Sequence, residues 1–484
     1  MTPDYIAFHA AERPNAVAVI DSGREVTYRE FDRHIANVAA GLREFGLPRG
    51  GIAAIECEDL YAHWLLLLAF ERLGVGTASL GPNGAERYGQ FFPLFDFIVS
   101  QHPPAGELLR RHHTITAAWI KSLLSADNER MPGEIVQADE DRLRIGFTSG
   151  TTGALKAVAY SRRAFEGHIN KWVWRCGLSS EARYLITIPF TVEGAYHHAT
   201  ACIRAGGTAV LESSSEDVGE LLTRHGISQV TLFPLQLKRI LDRLPSDYIK
   251  PRSLTITTLG SALSPALRAR ATTRLANQVY ETYGCNEIGF VCSTAGDGGI
   301  RGGAIFPGVQ VEIVDEHDRS VEIGQIGRIR LKSDTMVGGY LGNPQATKGM
   351  FRDGWFYPGD LGALRAPRRL AVTGREDELL NIGGTKVQAT EVEAYIAAHT
   401  AVSEVAVCAL VNADGVGELW IAVSGAEITD DILMQRIYDA TRHWPLGLFH
   451  VVRLSHIPRT ATGKIERSTL QKTLAASSPR TAPG

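Results

Sequence analysis

The stretch FTSGTTGALKAV, residues 147–158, places hydroxyl side chains, glycines and a lysine within a few positions of each other. Glycines let the backbone turn tightly and bring its N–H groups close to a ligand, and Ser and Thr hydroxyls add further hydrogen-bond donors. These properties suit a chain of phosphates. The stretch does not fit the Gly-x-x-x-x-Gly-Lys-Ser/Thr loop, because Thr151 stands at the fifth position after Gly146 and Ala157 follows Lys156.

A polar linker is the alternative interpretation of this stretch, and it is the common one for clusters of Ser, Thr and Gly. Here an apolar segment precedes the cluster at 143–147 and another follows it at 157–160. This order predicts a strand, a loop and a second strand. It favours a ligand-binding loop over a linker without naming the ligand.

The composition indicates a soluble protein with more than one domain. The chain has 484 residues, which is more than one hydrophobic core usually supports. Its 44% hydrophobic and 21% charged residues are ordinary for a globular protein. With 50 basic and 53 acidic residues the net charge is −3, so the chain has no overall charge that would attract nucleic acid or anionic lipid.

The sequence predicts a cytoplasmic protein without a membrane span. The first 15 residues contain polar and charged side chains where a secretory signal has an apolar run. The longest apolar stretch, around residues 64–70, is far shorter than the ~20 residues that a membrane span needs. The six cysteines form no C-x-x-C pair, and His197 and His198 have no partners at metal-site spacing, so free thiols are favoured over disulfides or a zinc site.

The sequence predicts alternating strands and helices, which would hold the side chains of the glycine-rich stretch in place. Residues 25–45 predict a short strand and then an amphipathic helix capped by a Thr, and this order recurs repeatedly to about residue 260. The pattern is typical of α/β layers with buried strands. From about Gly303, short strands between glycines and acidic turns predict an antiparallel β region. The last part returns to helix, strand and helix, which predicts a small α+β domain, and residues 473–484 are predicted to be a disordered tail.

Four further motifs follow the loop in a fixed order. They are YETYGCNE (280–287), GWFYPGDL (354–361), GREDELLNIGGTKVQATEVE (374–393) and PRTATGKIER (458–467). With these motifs the chain closely resembles the adenylate-forming superfamily of acyl-CoA synthetases, amino-acid adenylation domains and luciferases. The resemblance covers essentially the whole chain, from VTYREF near residue 27 to Lys464.

The resemblance implies a two-step reaction. A carboxylic acid attacks the α-phosphorus of Mg-ATP to give an acyl-adenylate and pyrophosphate, and a thiol then displaces AMP. A carboxylate is a poor electrophile, whereas the adenylate is a mixed anhydride with a good leaving group. In such chemistry the protein mainly positions groups and neutralises charge.

The resemblance also implies which residues bind the nucleotide. The residues that resemble the loop holding the β- and γ-phosphates are Thr148, Ser149, Gly150, Thr151, Thr152, Gly153 and Lys156. The segment that lines both the base and the acid pocket is Gly260, Ser261 and Ala262. Tyr283 matches the aromatic residue that lies against adenine. Asp360 matches the residue that accepts hydrogen bonds from both ribose hydroxyls, and Arg375 matches a second ribose contact.

Three residues are implied in the adenylation step itself. Glu287 matches the Mg²⁺ carboxylate, which suits a hard ion that keeps several waters. Asn286 stands where Thr is usual, and its amide can donate a hydrogen bond to an α-phosphate oxygen. Lys464 would bridge the substrate carboxylate and the α-phosphate, two anions that otherwise repel. Taken singly, each could be a solvated surface residue, but their ordered co-occurrence favours the functional interpretation.

The C-terminal domain resembles a lid that rotates about a hinge between the two steps. Asp377 matches the hinge, which predicts a large domain of residues 1–375 and a lid of residues 376–472. One lid face, with Lys464, would serve adenylation.

The opposite lid face would serve the thiol step through Gly384 and Lys386. Glycine suits this position because a pantetheine arm needs a close approach to the backbone. An ordinary β-turn explains the glycine pair 383–384 equally well.

The resemblance leaves the identity of the acid open. The predicted acid pocket consists of Val192, Glu193, Gly194, Gly260 and Gly284. The segment 188–198 lacks the usual His or aromatic residue about three positions after its proline, and Pro358 replaces a common Thr. Glu193 could pair with a substrate amine, and the alternative, an exposed carboxylate in a turn, is favoured because Glu is rarely buried without a partner.

Three functions remain open at this stage. The leading one is an acid-CoA ligase that uses ATP, Mg²⁺ and coenzyme A. The second is a stand-alone adenylation enzyme that loads a separate phosphopantetheinyl carrier protein, in which an Arg is usual where this chain has Gly383. The third is a non-catalytic nucleotide-binding protein, which the full set of Lys464, Glu287, Asp360 and Arg375 argues against. The sequence does not indicate which acid is used or the oligomeric state.

Overall fold

The computed structural model describes the residues 1–48, 50–81, 84–102, 111–126, 138–149, 155–211, 218–295, 302–382, 385–400, 402–412, 416–425, 429–441, 449–460 and 463–482. In this part of the chain, no helix has the length and apolar character that a membrane crossing requires. The six cysteines lie within these ranges as free thiols, which confirms the prediction from their spacing.

The α-helices are, in chain order, α1 (Thr2–Glu12), α2 (Tyr28–Arg43), α3 (Leu60–Arg72), α4 (Gly84–Tyr88), α5 (Ala117–Leu124), α6 (Arg162–Cys176), α7 (Glu193–Arg204), α8 (Val218–Arg224), α9 (Pro234–Arg243), α10 (Pro265–Arg274), α11 (Pro344–Met350), α12 (Ala389–His399), α13 (Asp430–Thr441) and α14 (Arg467–Ala475). The β-strands are β1 (Val17–Asp21), β2 (Arg24–Thr27), β3 (Ile52–Glu56), β4 (Gly76–Ser79), β5 (Phe97–Ser100), β6 (His112–Thr114), β7 (Arg142–Ser149), β8 (Leu155–Ser161), β9 (Arg183–Ile186), β10 (Thr208–Leu211), β11 (Gln229–Leu232), β12 (Thr255–Thr258), β13 (Gln278–Cys285), β14 (Gly289–Thr294), β15 (Gly303–Ile305), β16 (Val309–Val314), β17 (Gly327–Ser333), β18 (Phe351–Arg352), β19 (Trp355–Phe356), β20 (Asp360–Ala366), β21 (Arg369–Arg375), β22 (Leu379–Ile382), β23 (Thr385–Gln388), β24 (Glu404–Val411), β25 (Gly417–Ser424), β26 (Phe449–Arg453) and β27 (Arg480–Ala482).

The larger sheet has a parallel centre, in which the strands β13, β12, β11, β9, β10 and β1 lie side by side in this order. Beyond β13 the sheet continues through β14, β15, β21, β20 and β17, and each neighbouring pair there is antiparallel. The predicted α/β order and the antiparallel region after residue 303 are therefore both confirmed.

The second sheet carries the strand that leads into the glycine-rich stretch. Its order is β6, β5, β3, β4, β7 and β8, and all its neighbours are parallel except the final pair β7 and β8. β7 thus points its carboxyl end in the same direction as β3 and β4. The two predicted strands around residues 143–160 are confirmed, whereas residues 150–154 between them lie outside the described residues.

The helices α2, α3, α6 and α7 pack between the two sheets and form the largest hydrophobic core with them. Along β9, Tyr184 and Ile186 face this core, whereas Leu185 faces a second core under α8, α9 and α10. Alternate side chains of a strand point to opposite faces, so a sheet covered on both sides needs apolar residues in succession. This requirement explains the continuous apolar runs in the sequence.

Local signals fix the start of several helices. Thr27 caps α2, since its hydroxyl accepts a hydrogen bond from the Glu30 N–H while the Glu30 carboxylate accepts one from the Thr27 N–H. This reciprocal pair is a capping box, worth roughly 1 kcal/mol relative to alanine at the cap. Asp59 caps α3 and Ser161 caps α6 in the simpler, one-way form.

The C-terminal part has cores of its own. Strands β24 to β27 form one sheet, β22 and β23 form a hairpin, and the two hydrophobic clusters beneath them contain residues between 380 and 474 alone within the described chain. The prediction of a disordered tail from residue 473 is wrong for the described residues. Leu474 is fully buried under this sheet, and β27 pairs antiparallel with β26. An edge strand is held by backbone hydrogen bonds and does not need apolar side chains, so the polar composition of the tail did not reveal β27.

Candidate active site

The motif residues gather at one edge of the larger sheet. Gly260 follows the end of β12, Tyr283 and Gly284 lie near the end of β13, and Phe233 follows β11. Because these strands are parallel, their carboxyl ends open on the same crevice, where ligands of α/β proteins bind. The fold therefore brings together motifs that are far apart in sequence.

The strands β7 and β8, which flank the glycine-rich stretch, pair antiparallel with Thr148 opposite Lys156, and we refer to these paired strands as the hairpin. The residues Gly150, Thr151, Thr152 and Gly153 lie outside the described residues, as does the side chain of Ser149. The Lys156 ammonium lies 4.7 Å from the centre of the Tyr340 ring. An ammonium over an aromatic face is attracted by the electrons of the ring.

Tyr340 connects this lysine to the predicted metal carboxylate. Its hydroxyl donates a 2.7 Å hydrogen bond to Oε1 of Glu287, whose side chain is 5% exposed. Burial and the neighbouring Glu287 raise the pKa of Tyr340, so the hydroxyl keeps its proton. The sequence analysis missed Tyr340, because a tyrosine in a glycine-rich turn gives no signal that separates it from an ordinary packed aromatic.

The backbone around Glu287 is also fixed. The Val337 N–H donates to the Glu287 carbonyl, and Tyr340 forms an isolated bridge with Val158 of β8. The side-chain amide of Asn286 donates a 3.1 Å hydrogen bond to the Phe147 carbonyl at the base of the hairpin. Asn286 and Glu287 are therefore tied to the same hairpin that carries Lys156.

Asp360 is the centre of a second polar group. Its carboxylate is 8% exposed and accepts a hydrogen bond from the Tyr283 hydroxyl, and Arg375 donates to its other oxygen at 2.9 Å. Burial and Asp360 raise the pKa of Tyr283, so the hydroxyl remains a donor. A carboxylate offers about four acceptor sites. Asp360 is thus held from two strands, by Tyr283 of β13 and by Arg375 of β21.

Cys285 lies between the two polar groups. Burial, together with the Glu287 and Asp360 carboxylates, raises the pKa of the Cys285 thiol well above its usual value. The thiol is therefore protonated at neutral pH, and it is a poor nucleophile in that form.

The residues of the predicted acid pocket lie at the start of α7 and at the ends of β12 and β13. Val192 stands just before α7 and Gly194 lies within its first turn, where a Cβ would meet only the Leu259 side chain, at 3.8 Å. Gly284 has no room for any side chain, since a Cβ there would lie 2.4 Å from the Gly289 carbonyl oxygen. A side chain at position 194 would therefore have room, whereas one at position 284 would not. We call the side of the predicted pocket formed by Val192 and by α7 from Glu193 to His198 the acid-side wall.

Glu193 corrects the sequence analysis. It is not an exposed turn carboxylate, because it is the first residue of α7 and only 3% exposed. Its Oε2 forms a 2.7 Å ion pair with Nε of Arg144, which is 1% exposed. The prediction failed because the partner lies 49 residues earlier in the chain, and no local pattern reports a buried pair of that separation.

The face of α7 that carries Gly194 continues into a stack of aromatic rings. His198, four residues on, stacks on Trp172 with ring centres 4.0 Å apart, and Trp172 stacks on Phe290 at 4.5 Å. Burial lowers the pKa of His198 to about 3. The stack is therefore uncharged at neutral pH.

The lid residues are described in part. Gly384 and the side chains of Asp377 and Lys386 lie outside the described residues. Lys464 is exposed, and the adjacent Gly463 approaches the large domain, since a Cβ there would lie 3.8 Å from the Phe233 Cβ. Phe233 follows β11, so the Lys464 loop lies at the same edge as the motif residues.

Comparisons with known proteins agree with this arrangement. A family model described as AMP-binding enzyme matches residues 6–88 and 99–341, more than half of the chain. The 4-coumarate-CoA ligase 5 of Oryza sativa subsp. japonica is 26% identical over 98% of this chain and 95% of its own length. A medium/long-chain-fatty-acid-acyl-carrier-protein ligase of Mycobacterium tuberculosis is 26% identical over 99% of this chain and 96% of its own length.

A solved structure shares the fold. The o-succinylbenzoate coenzyme A synthetase of Bacillus subtilis, in complex with ATP and magnesium ion, superposes with a TM-score of 0.81 at 20% identity. The match covers 96% of this chain and 99% of the other. The chain therefore shares its fold with a solved structure.

The neutral state of His198 predicts how stability depends on pH. The folded pKa of His198 is about 3 and the ordinary value is 6.5, so the unfolded chain takes up the proton first as the pH falls. The stability that this residue contributes is complete above pH 6.5 and is lost toward pH 3. In the variant His198→Phe, which keeps the ring stack, the free energy of unfolding should fall less steeply between those pH values, by up to ~1.4 kcal/mol per pH unit.

Urea denaturation at a series of pH values measures this slope. The variant Tyr184→Phe is the control, because it alters a ring that lies against His198 without removing a group that titrates in acid. We expect its slope to equal that of the wild type. Equal slopes for all three proteins would contradict the assignment of a neutral, buried His198.

Proposed function

The chain belongs to the AMP-binding enzyme family, and from this premise we propose that it activates a carboxylic acid with ATP and transfers the acyl group to coenzyme A. It is an AMP-forming enzyme of the acyl-CoA synthetase type. The observation that carries the proposal is the polar crevice in which Tyr340 contacts both Lys156 and Glu287, with Asp360 nearby. A nucleoside triphosphate requires three kinds of group from its site. These are a carboxylate that can hold a cation, a lysine for the phosphates and a second carboxylate for the ribose hydroxyls.

The donor set in the crevice fits magnesium. Glu287 offers oxygen ligands, which Mg²⁺ prefers, and Mg²⁺ is usually bound by one or two carboxylates together with substrate phosphates. Among the described residues, no group of three or more His, Cys, Asp or Glu could hold a metal by itself. Glu287 would hold the ion, which supplies positive charge to the phosphates when bound. A solved relative is in complex with both ATP and magnesium ion.

The remaining residues of the crevice would orient the nucleotide. Asp360, braced by Arg375, accepts hydrogen bonds from the ribose hydroxyls, and Tyr283 is held at a fixed angle by its own hydrogen bond to Asp360, so that its ring can lie against adenine. The hairpin residues from Thr148 to Gly153 and Lys156 cradle the β- and γ-phosphates, and Asn286 donates to the α-phosphate. The segment of residues 260–262 lines the base and the acid.

We assign the lid to residues 376–472, with the hinge at Asp377. Lys464 neutralises the substrate carboxylate and the α-phosphate, because two anions must approach each other in the adenylation step. After rotation, Gly384 and Lys386 line the path of the thiol. The contact between Gly463 and Phe233 supports a lid that closes the Lys464 loop over the crevice.

Coenzyme A is the acceptor we favour, and a carrier protein is the second candidate. The rice relative is named for a CoA ligase, whereas the mycobacterial relative is named for a carrier-protein ligase, and both align over nearly their full lengths. Incubation with ATP, a panel of carboxylic acids and either CoA or carrier proteins should give AMP and an acyl-CoA, detected by mass spectrometry. Release of AMP that requires a carrier and ignores CoA would overturn this choice of acceptor.

Lys464→Ala should separate the two steps. The variant loses the cation that joins the anionic reactants, so adenylate formation, followed by pyrophosphate exchange, should fall by at least ~10³-fold. Thiolysis of a supplied acyl-adenylate should stay within about twofold of the wild type, since the other lid face serves that step. Lys472→Ala, which removes an exposed lysine on α14, is the matched control. Equal losses in both assays would contradict the rotating lid.

Tyr340→Phe should weaken the metal site while keeping the ring under Lys156. A hydrogen bond to a charged group is worth roughly 1.5–3 kcal/mol, so the Mg²⁺ concentration for half-maximal pyrophosphate exchange should rise about tenfold or more. Tyr357→Phe is the control, because its hydroxyl accepts a hydrogen bond from Arg330 instead of contacting Glu287. An unchanged Mg²⁺ titration in Tyr340→Phe would show that this hydroxyl has no part in holding the ion.

A further inference from the structure

Arg144 and Glu193 form an ion pair that the proposed chemistry does not use. Arg144 lies on β7, four residues before Thr148 of the phosphate hairpin, and Glu193 begins α7 beside the acid pocket. Both side chains are almost completely buried, and their Nε and Oε2 atoms are 2.7 Å apart. Charges are rarely buried to this extent, because removing them from water is costly. A pair in this position therefore calls for a structural or functional explanation.

The guanidinium of Arg144 joins several elements at once. Besides Glu193, it donates to the Ser79 hydroxyl at 2.9 Å and to the Phe190 carbonyl at 2.9 Å, and it lies 4.5 Å from the centre of the Tyr196 ring. These contacts reach β4, the segment between β9 and α7, and α7 itself. Arg144 is thus the common partner of the strand that leads to the phosphate hairpin and of the wall beside the acid.

The wall also touches β7 through the backbone. A Cβ at Gly146 would lie 2.7 Å from Cγ of Glu193 and 2.9 Å from the Tyr160 ring. The first turn of α7 therefore packs directly on the strand, two residues after Arg144. A shift of Glu193 cannot occur without moving the strand or breaking its ion pair.

The ion pair of Arg144 and Glu193 also determines the net charge of the acid-side wall. Burial raises the pKa of the Glu193 carboxyl, and the Arg144 guanidinium opposes that rise. With the two charges cancelled, and with His198 and His197 neutral because burial lowers the pKa of both, the described part of the wall presents no net charge. A substrate amine could reach Glu193 only by displacing Arg144 and leaving a guanidinium buried without its partner.

We propose that Arg144 is a positioning residue that holds Glu193, and with it the acid-side wall, in register with the phosphate hairpin, and that this wall takes a carboxylic acid whose tail carries no charge. The inference rests on the proposed adenylation function. It excludes the interpretation of Glu193 as a binding group for a substrate amine. In this proposal the ion pair of Arg144 and Glu193 fixes the position of the acid-side wall, and the residues of the crevice carry out the adenylation.

Pyrophosphate exchange with a panel of aryl, alkyl, amino and dicarboxylic acids tests the inference in Arg144→Met, Glu193→Gln and the double variant Arg144→Met/Glu193→Leu. We expect the wild type to catalyse exchange with acids whose tails are uncharged. In both single variants the KM for the acid should be at least ~10-fold higher than in the wild type. Their KM for ATP should stay within about threefold of the wild-type value. The double variant should recover thermal stability, since apolar replacements of a buried ion pair are often tolerated. Its KM for the acid should stay raised, because the bonds to Ser79 and Phe190 are still missing.

The control is Glu166→Gln, which breaks the ion pair of Arg204 at the far end of α7 and should lower stability without changing the KM for the acid. Recovery of both stability and KM in the double variant would reduce the pair to a purely structural role. A KM increase confined to amino acids in Glu193→Gln would make Glu193 an amine site, and strong exchange with amino or dicarboxylic acids alone would refute the uncharged tail.

Hydrogen exchange separates failure of this inference from failure of the proposed function. If the wild type exchanges pyrophosphate with no acid, the proposed function fails. The positioning role is still decided, because Arg144→Met should speed amide exchange in residues 187–196 and 144–149, whereas Glu166→Gln should not. Unchanged exchange in those segments of Arg144→Met would overturn the positioning role.

Discussion

A carboxylate can keep its charge inside a protein only where another group supports it, and this constraint organises the whole crevice. Three buried or nearly buried carboxylates surround it: Glu287, Asp360 and Glu193. Each is held by a side chain from a different element, so that β8 and its neighbouring turn, β21 and β7 are fixed around the parallel sheet edge. The supporting groups set both the charge and the shape of the site.

Much of this could be read from local sequence. The hairpin between β7 and β8 follows from apolar segments around a Gly- and Ser-rich loop, and the start of α2 follows from the spacing of Thr27 and Glu30. Such features depend on contacts within a few residues. The order of the motifs also predicted that Glu287 and Asp360 belong to one site, and in the structure both carboxylates act on the pKa of the same thiol, that of Cys285.

The features that could not be predicted depend on contacts between distant residues. Arg144 looks like an interruption in an apolar strand, and its meaning appears only when Glu193 lies beside it. Tyr340 looks like an ordinary aromatic until its hydroxyl meets Glu287. The tail after residue 475 has the composition of a disordered segment, yet β27 is ordered by pairing with β26. In each case the role of the residue depends on a contact with a partner that is distant in sequence.

The separation of hydrophobic cores supports the proposed movement of the C-terminal part as a lid. The clusters under β24 to β27 draw only on residues after 379 within the described chain, whereas the large domain completes its own cores without them. Burial of apolar area is what resists separation of two parts of a protein, at roughly 25 cal/mol per Å². Within the described residues, the proposed rotation would open no shared core, and surface contacts such as the approach of Gly463 to Phe233 would change. Separate cores are therefore what the proposal of two lid faces serving one nucleotide requires.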